Sequence, residues 1–259
     1  MSILYGTLII FFILGLIVGS FLNVVILRHN TGLSLSGRSG CMSCSSSLKW
    51  WQLLPVISFF ILRGKCHDCG SKISLQYPIV ELSLGIIFAL ISVQGFDILH
   101  IILAMLISTL LLAIAVYDSH HTIIPNSYVY TFAGLAAIWN MQYLVNFAIA
   151  GAVLATPFAL MWIISKGKWI GLGDAKLMLG IGVMLGLIGG FATLTIGSIL
   201  GSIAGLSYIA WRKLCTLRLG YTKRTSKIRL EIPFGPFLIF GFFAVWLLHL
   251  DTMYLQLIL

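Results

Sequence analysis

Residues 98–118 read ILHIILAMLISTLLLAIAVYD. An α-helix needs roughly 20 mostly apolar residues to cross a bilayer, and this run supplies them before ending on a carboxylate, Tyr117-Asp118. A charge at membrane depth is expensive and marks a functional site by default. The rest of the chain has the same character. Of its 259 residues 59% are hydrophobic and 9% charged, and the mean hydropathy is +1.05. That composition cannot build a water-facing shell, which excludes a soluble domain and defines an all-α polytopic membrane protein.

Working outward, apolar runs fall near residues 3–27, 79–94, 98–117, 127–142, 144–164, 176–188, 190–210 and 234–250, which predicts about eight transmembrane helices. The continuous stretches 127–164 and 176–210 are too long for one crossing each. Turn formers place the breaks between Asn140 and Asn146 and at Gly189-Gly190. Cytoplasmic loops carry the excess of Lys and Arg. Arg28, Arg38, Lys49, Arg63, Lys65 and Lys72 follow the first span, and Lys166, Lys168 and Lys176 the fifth. Arg212, Lys213, Arg218, Lys223, Arg224, Lys227 and Arg229 follow the seventh, which accounts for all 16 basic residues. Both termini are thus expected on the periplasmic side, with the Asp118 and Asp174 loops in the cytoplasm. Residues 1–28 read as a first, retained helix, because Met1 to Tyr5 lacks the basic start of a cleavable signal. Residues 29–78 read as a cytoplasmic zinc-binding domain and 79–259 as the helical bundle that carries the catalytic site. The net charge of +9 follows from this bias and from attraction to anionic lipid, so no nucleic-acid partner is expected.

Within 29–78, Cys41-Met42-Ser43-Cys44 and Cys66-His67-Asp68-Cys69 form two CxxC pairs with 21 residues between them. Such pairs match a tetrahedral four-thiolate zinc site, and a reducing cytoplasm disfavours disulfides. A closed four-cysteine site has no open position, so this zinc is structural and its work is to fold a loop with little core of its own. Lys49, Trp50 and Trp51, followed by the apolar run Leu53 to Leu62, read as a segment resting at the membrane surface.

Carboxylates are rare, with seven Asp plus Glu in the chain, so Asp118 and Asp174 of Gly171-Leu172-Gly173-Asp174 stand out. Two aspartates hydrolyse a peptide by sharing one proton: the ionised group takes a proton from water while the neutral one polarises the carbonyl. Gly171 and Gly173 allow a backbone or a neighbouring helix to approach closely. His120 and His121 read as loop histidines at the headgroup boundary, with metal ligation or proton relay as the alternative. Cys215 reads as a free thiol. Glu81 fits either a helix-start carboxylate or a group near the site.

The ordered set of motifs resembles the type IV prepilin peptidases of bacteria over nearly the whole chain. The resemblance runs from Gly19-Ser20-Phe21-Leu22-Asn23 through both CxxC pairs, Leu62-Arg63-Gly64-Lys65-Cys66 and Tyr77-Pro78-Ile79-Val80-Glu81. It continues through Ile124-Pro125-Asn126, Gly171 to Leu177, and Ile232-Pro233-Phe234-Gly235-Pro236-Phe237. It implies an inner-membrane aspartic endopeptidase that removes the basic leader of prepilins or pseudopilins. It also implies methylation of the new N-terminus with S-adenosylmethionine, with Gly64 and Lys65 as the place to look for methyl-donor binding. By position, Asp118 and Asp174 carry over as the catalytic pair, and Cys41, Cys44, Cys66 and Cys69 as zinc ligands. Trp169, Gln76 and Asn126 depart from the expected pattern and bear on substrate fit. Presenilin-like proteases share the Tyr-Asp and GxGD pair but lack the knuckle loop. A transporter or channel using Asp118, Asp174 and Glu81 is the alternative from another class, although no inverted repeat is visible. A non-catalytic assembly factor that docks through its zinc loop is a further one.

Overall fold

The computed structural model describes residues 2–29, 37, 39–219 and 233–250. The basic residues Arg38, Lys223, Arg224, Lys227 and Arg229, and Ile232 of the last motif, lie outside the described residues, as do the side chains of Lys213, Cys215 and Arg218.

All long elements are helices: α1 Ser2–Arg28, α2 Ile57–Ile61, α3 Gln76–Ser92, α4 Ile98–His121, α5 Asn126–Trp139, α6 Leu144–Ser165, α7 Leu172–Leu219 and α8 Gly235–Leu248. Four stretches, Leu4–Arg28, Ile98–His121, Met141–Ser165 and Leu172–Arg212, are long and apolar enough to cross a membrane. Helices α3 and α8 are apolar but shorter. At 1.5 Å per residue the 17 residues of α3 reach about 25 Å, short of the roughly 30 Å hydrocarbon core.

Contacts divide the chain into two compact units, Met1–Ala113 and Ile114–Leu259, with α4 running from the first into the second. In the first unit α1 packs on α3 through small residues. A Cβ on Gly15 would lie 2.5 Å from the Leu84 carbonyl oxygen, and one on Gly19 would lie 2.8 Å from the Glu81 Cα. Spaced four apart, these glycines let two backbones meet directly, which is how helices associate where no hydrophobic drive exists between them. The buried Asn23 ties the pair together, donating to the carbonyls of Gly19 and Tyr77 at 3.3 Å each. Ile9, Ile10, Ile13 and Ile17 of α1 remain exposed, as a lipid-facing stripe would.

The second unit packs α5, α6 and α8 around α7. Its core includes Phe132, Met178, Ile181, Leu238 and Phe242, all buried. Helix α7 runs over 48 residues but breaks at Gly186, which has φ 72 and ψ −172. The break was expected at Gly189-Gly190. Those two glycines are helical instead, and at Gly190 a Cβ would lie 2.1 Å from Leu154 Cδ1. Packing requires the tandem glycines, whereas the turn falls at the one glycine whose left-handed φ a larger residue resists. Asn140, beyond the end of α5, serves the break from the side: its Nδ2 donates to the carbonyls of Val183 at 2.8 Å and Met184 at 2.9 Å. A helix interruption frees carbonyls that lipid cannot satisfy, and this amide takes up two of them. Between α5 and α6 the chain turns through Met141–Tyr143, inside the stretch where the sequence places a break.

Candidate functional site: two aspartates at helix ends and a four-thiol loop

Asp118 lies in the last turn of α4, and Asp174 in the first turn of α7. The positive end of a helix macrodipole favours an anion and the negative end disfavours it. Asp174 therefore sits well by its own helix and Asp118 does not. The structure compensates Asp118 with another helix. The backbone N–H of Gly235, first residue of α8, donates to Asp118 Oδ2 at 3.0 Å, so the buried carboxylate caps the N-terminus of α8. The sequence of that start, Pro233-Phe234-Gly235-Pro236, suits the contact. A Cβ on Gly235 would lie 2.7 Å from Asp118 Oδ2, so only glycine admits the carboxylate at this distance.

The two aspartates are held near one another, close enough for the Asp118 charge to act on Asp174. Ile124, buried in the loop after α4, packs between their supports. Its Cβ would be 2.9 Å from a Cβ on Gly173, and its Cδ1 3.5 Å from one on Gly235. Thr122, at φ 52, turns the chain so that its N–H returns to the Asp118 carbonyl at 2.8 Å. Pro125 then starts α5. Gly171 stands behind Asp174, its carbonyl accepting the Asp174 N–H at 3.3 Å. Lys176, one turn into α7, donates to Asn126 Oδ1 at 2.7 Å and lies 5.2 Å over the Tyr130 ring. His120 and His121 are exposed, with the His121 ring 4.4 Å from that of Tyr117. The sequence reading names Ile124 and Gly235 only within the motifs of the resemblance and gives neither a role beside the aspartates. The proline-glycine start of an apolar run was the available signal for Gly235.

In the first unit the four cysteine sulfurs lie within 4.8 Å of one another, the only such group of three or more potential ligands among the described residues. Cys41 and Cys69 are 3.9 Å apart. Four sulfurs about 2.3 Å from a tetrahedral Zn²⁺ would be roughly 3.8 Å apart, so the donor set fits the ion in both number and spacing. The two knuckles are copies of one turn. Cys41 N–H donates to the Ser46 carbonyl and Cys66 N–H to that of Ser71. Gly40 pairs with Ser47 as Lys65 does with Lys72, and left-handed residues stand at Ser45 and Gly70. The backbone N–H groups of Cys44 and Ser43 hold the Cys41 thiol down at about 6. Hydrogen bonding from Ser71 lowers that of Cys69. Both shifts favour the thiolate that binds metal, whereas burial and the neighbouring Cys41 and Cys69 thiols push Cys66 up.

Beside the knuckles lies a cavity of about 470 Å³, lined by residues of α1, of the loop and of α3, Cys41, Cys66 and Glu81 among them. Gly64 and Lys65 are not on its lining but back it. A Cβ on Gly64 would lie 3.1 Å from the ring of Phe59, and Lys65 pairs with Lys72; Phe59 and Lys72 both face the cavity. Trp50, Ile57, Phe60 and Ile61 are exposed on the loop.

Fold and site together define a helical membrane protein with two neighbouring aspartates at helix ends and a loop whose four thiols could hold a metal ion. Comparison with known proteins gives its family. The bacterial peptidase A24 N-terminal domain matches residues 13–95, and the type IV leader peptidase family matches residues 104–206. The prepilin leader peptidase/N-methyltransferase of Stutzerimonas stutzeri is 32% identical over 94% of this chain and 92% of its own length. That of Bacillus subtilis is 31% identical over 92% of this chain and 93% of its own. That of Myxococcus xanthus is 33% identical over 75% of this chain, a match that spans 61% of the relative. No solved structure matches. The chain belongs to the type IV leader peptidase family.

Proposed function

We propose that this protein is a membrane aspartic endopeptidase that removes the basic leader from type IV prepilins or pseudopilins and then methylates the new N-terminus with S-adenosylmethionine. The observation that carries the first activity is the convergence of Asp118 and Asp174 at three helix ends, with Gly173, Ile124 and Gly235 packed behind them. One aspartate is ionised and takes a proton from a water molecule, whose oxygen attacks the scissile carbonyl. The other is protonated and donates to the carbonyl oxygen as it becomes tetrahedral. The proton then passes to the leaving amine as the C–N bond breaks. Two like charges in a poorly solvated site cannot both persist, which keeps a single proton on the pair.

The second activity comes from the relatives' names. S-adenosylmethionine supplies the methyl group when bound. Zn²⁺ on Cys41, Cys44, Cys66 and Cys69 is structural and folds residues 29–78 as a cytoplasmic domain, with residues 79–259 as the helical bundle. If α7 is counted as two limbs about Gly186 and the shorter α3, α5 and α8 each cross, the chain makes about eight crossings. Their loops then put every basic residue and both aspartates on the cytoplasmic face of a bacterial inner membrane, with both termini periplasmic. The exposed Trp50, Ile57 and Phe60 rest on lipid.

The test is the intact mass of a prepilin with a Gly-Phe leader junction, co-expressed with the wild-type chain or with Asp174→Asn. Leader loss that requires Asp174, with an added methyl on the product, is the expected result. An unprocessed prepilin beside well-folded wild-type enzyme would overturn the reading.

A further inference from the structure

Gly173, Lys176 and Gly180 fall on one stripe of α7, at i, i+3 and i+7, and the stripe faces α5 and the loop that leads into it. A Cβ on Gly173 would lie 2.9 Å from Ile124 Cβ, and one on Gly180 would lie 2.5 Å from Phe132 Cε1. These glycines let the two segments approach closely. Having no side chain to interlock, they do not fix how far α5 slides along α7. Lys176 does. Its Nζ donates to Asn126 Oδ1 at 2.7 Å and stands 5.2 Å over the Tyr130 ring, and these two partners lie one turn apart at the start of α5. We propose that Lys176 is a positioning residue for the aspartate pair, which sets the register of α5 on α7 and acts on Asp118 and Asp174 through Ile124. The inference rests on the proposed peptidase activity and adds to it a residue that works from outside the catalytic pair.

Two residues after Asp174, Lys176 leaves α7 about 200° further round the helix, so it points away from the direction that Asp174 takes. Its effect runs through residues 122–126, which are pinned at both ends. The Thr122 N–H returns to the Asp118 carbonyl at 2.8 Å, and Asn126 is held by Lys176. Between the pins, the buried Ile124 packs on Gly173, the neighbour of Asp174, and its Cδ1 would lie 3.5 Å from a Cβ on Gly235. Gly235 is the residue whose N–H holds Asp118. A slip of α5 therefore moves Ile124 against the supports of both aspartates. Stability does not explain the contact. It lies at an exposed edge, where a substitution changes stability little, and an ammonium at the N-terminal end of α5 opposes that helix's macrodipole. The Asn126 oxygen and the face of the Tyr130 ring offset the charge. Asn126 departs from the pattern of the resemblance, yet it still supplies the acceptor that the lysine needs.

The test is steady-state cleavage of a purified prepilin with a Gly-Phe leader junction by the full-length, zinc-loaded enzyme and its variants. Lys176→Met, similar in length but without a donor, should lower kcat about tenfold while KM, zinc content and melting temperature stay near wild type. Asn126→Ala, which removes the other end of the contact, should lose as much. Lys176→Arg and Asn126→Asp keep a donor and an acceptor in place and should retain most of the rate. Lys176→Met combined with Ile124→Ala should lose no more than the worse of the two alone, because both act on one placement. Wild-type kcat in Lys176→Met and Asn126→Ala, or losses that multiply with Ile124→Ala, would overturn the assignment and leave the peptidase intact. A rise in KM alone would also overturn it, since Lys176 would then meet the substrate directly. Wild-type enzyme that cleaves no prepilin would overturn both readings. Asn126 is exposed, so Asn126→Ala decides the question even if Lys176→Met does not fold.

Discussion

The Gly235 N–H and the Asp118 carboxylate form a 3.0 Å hydrogen bond between residues 117 positions apart, and nothing larger than glycine fits beside it. This contact makes the start of α8 part of the aspartate centre. It supplies Asp118 with the helix N-terminus that its own place at the end of α4 denies it. Gly235→Ala would put a methyl group 2.7 Å from Oδ2, so the carboxylate or the helix start must move. A displacement near 1 Å at a catalytic group costs on the order of 100-fold in rate. Leader cleavage by Gly235→Ala, timed on a gel with purified prepilin, is expected to fall by about that factor while the protein keeps its zinc and its melting temperature. Wild-type cleavage would show that Asp118 needs no fixed partner.

Asp118→Asn and Asp174→Asn should each remove cleavage, and the double variant should lose no more than either single one. Groups that act as a unit give non-additive losses, because once one half of a proton-sharing pair is gone the other has nothing to work with. A single-turnover time course on all three variants measures this. Losses that multiply would mean that the two carboxylates act independently.

How much of this centre was legible before folding depends on the type of contact. Asp118 and Asp174 stood out because charge is scarce in an apolar chain, and the four cysteines because metal spacing is local. Gly235 and Ile124 act across the fold, through a backbone N–H and a packed aliphatic side chain, and the local motifs in which they stand do not say what either touches. The break in α7 illustrates the same limit. Gly186 and Gly190 are the same residue type in the same helix, and only the neighbours decide that one turns the chain while the other makes room for Leu154. The near-duplicate knuckle geometry was partly readable, since Ser45 and Gly70 each follow the second cysteine of a pair.

One zinc per chain is expected by metal analysis of the purified protein, and Cys66→Ser should lower both the metal content and the amount of folded protein in the membrane. A bound ion would supply the stability that a loop with so little core lacks, so its binding free energy would be folding free energy. The same variant should be more exposed to protease between residues 39 and 75, where the knuckles and their β-bridges lie. Normal abundance with no bound metal in the wild type would exclude a structural zinc.

Asn140 and Gly186 make the last prediction, which concerns stability alone. The Asn140 amide satisfies the Val183 and Met184 carbonyls beside the point where α7 breaks. Removing it leaves two acceptors without a partner, at about 1–3 kcal/mol for a buried group. Asn140→Ala should therefore lower the unfolding midpoint in detergent, and so should Gly186→Ala, whose Cβ would require a left-handed φ and lie 3.2 Å from the Phe147 ring. The two substitutions act on one interruption from opposite sides, so their effects should couple in the double variant rather than add. Strict additivity would mean that the amide and the glycine serve different parts of the helix. An unchanged midpoint in Asn140→Ala would mean that water reaches those carbonyls, and that the break lies nearer the membrane surface than the apolar sequence around it implies.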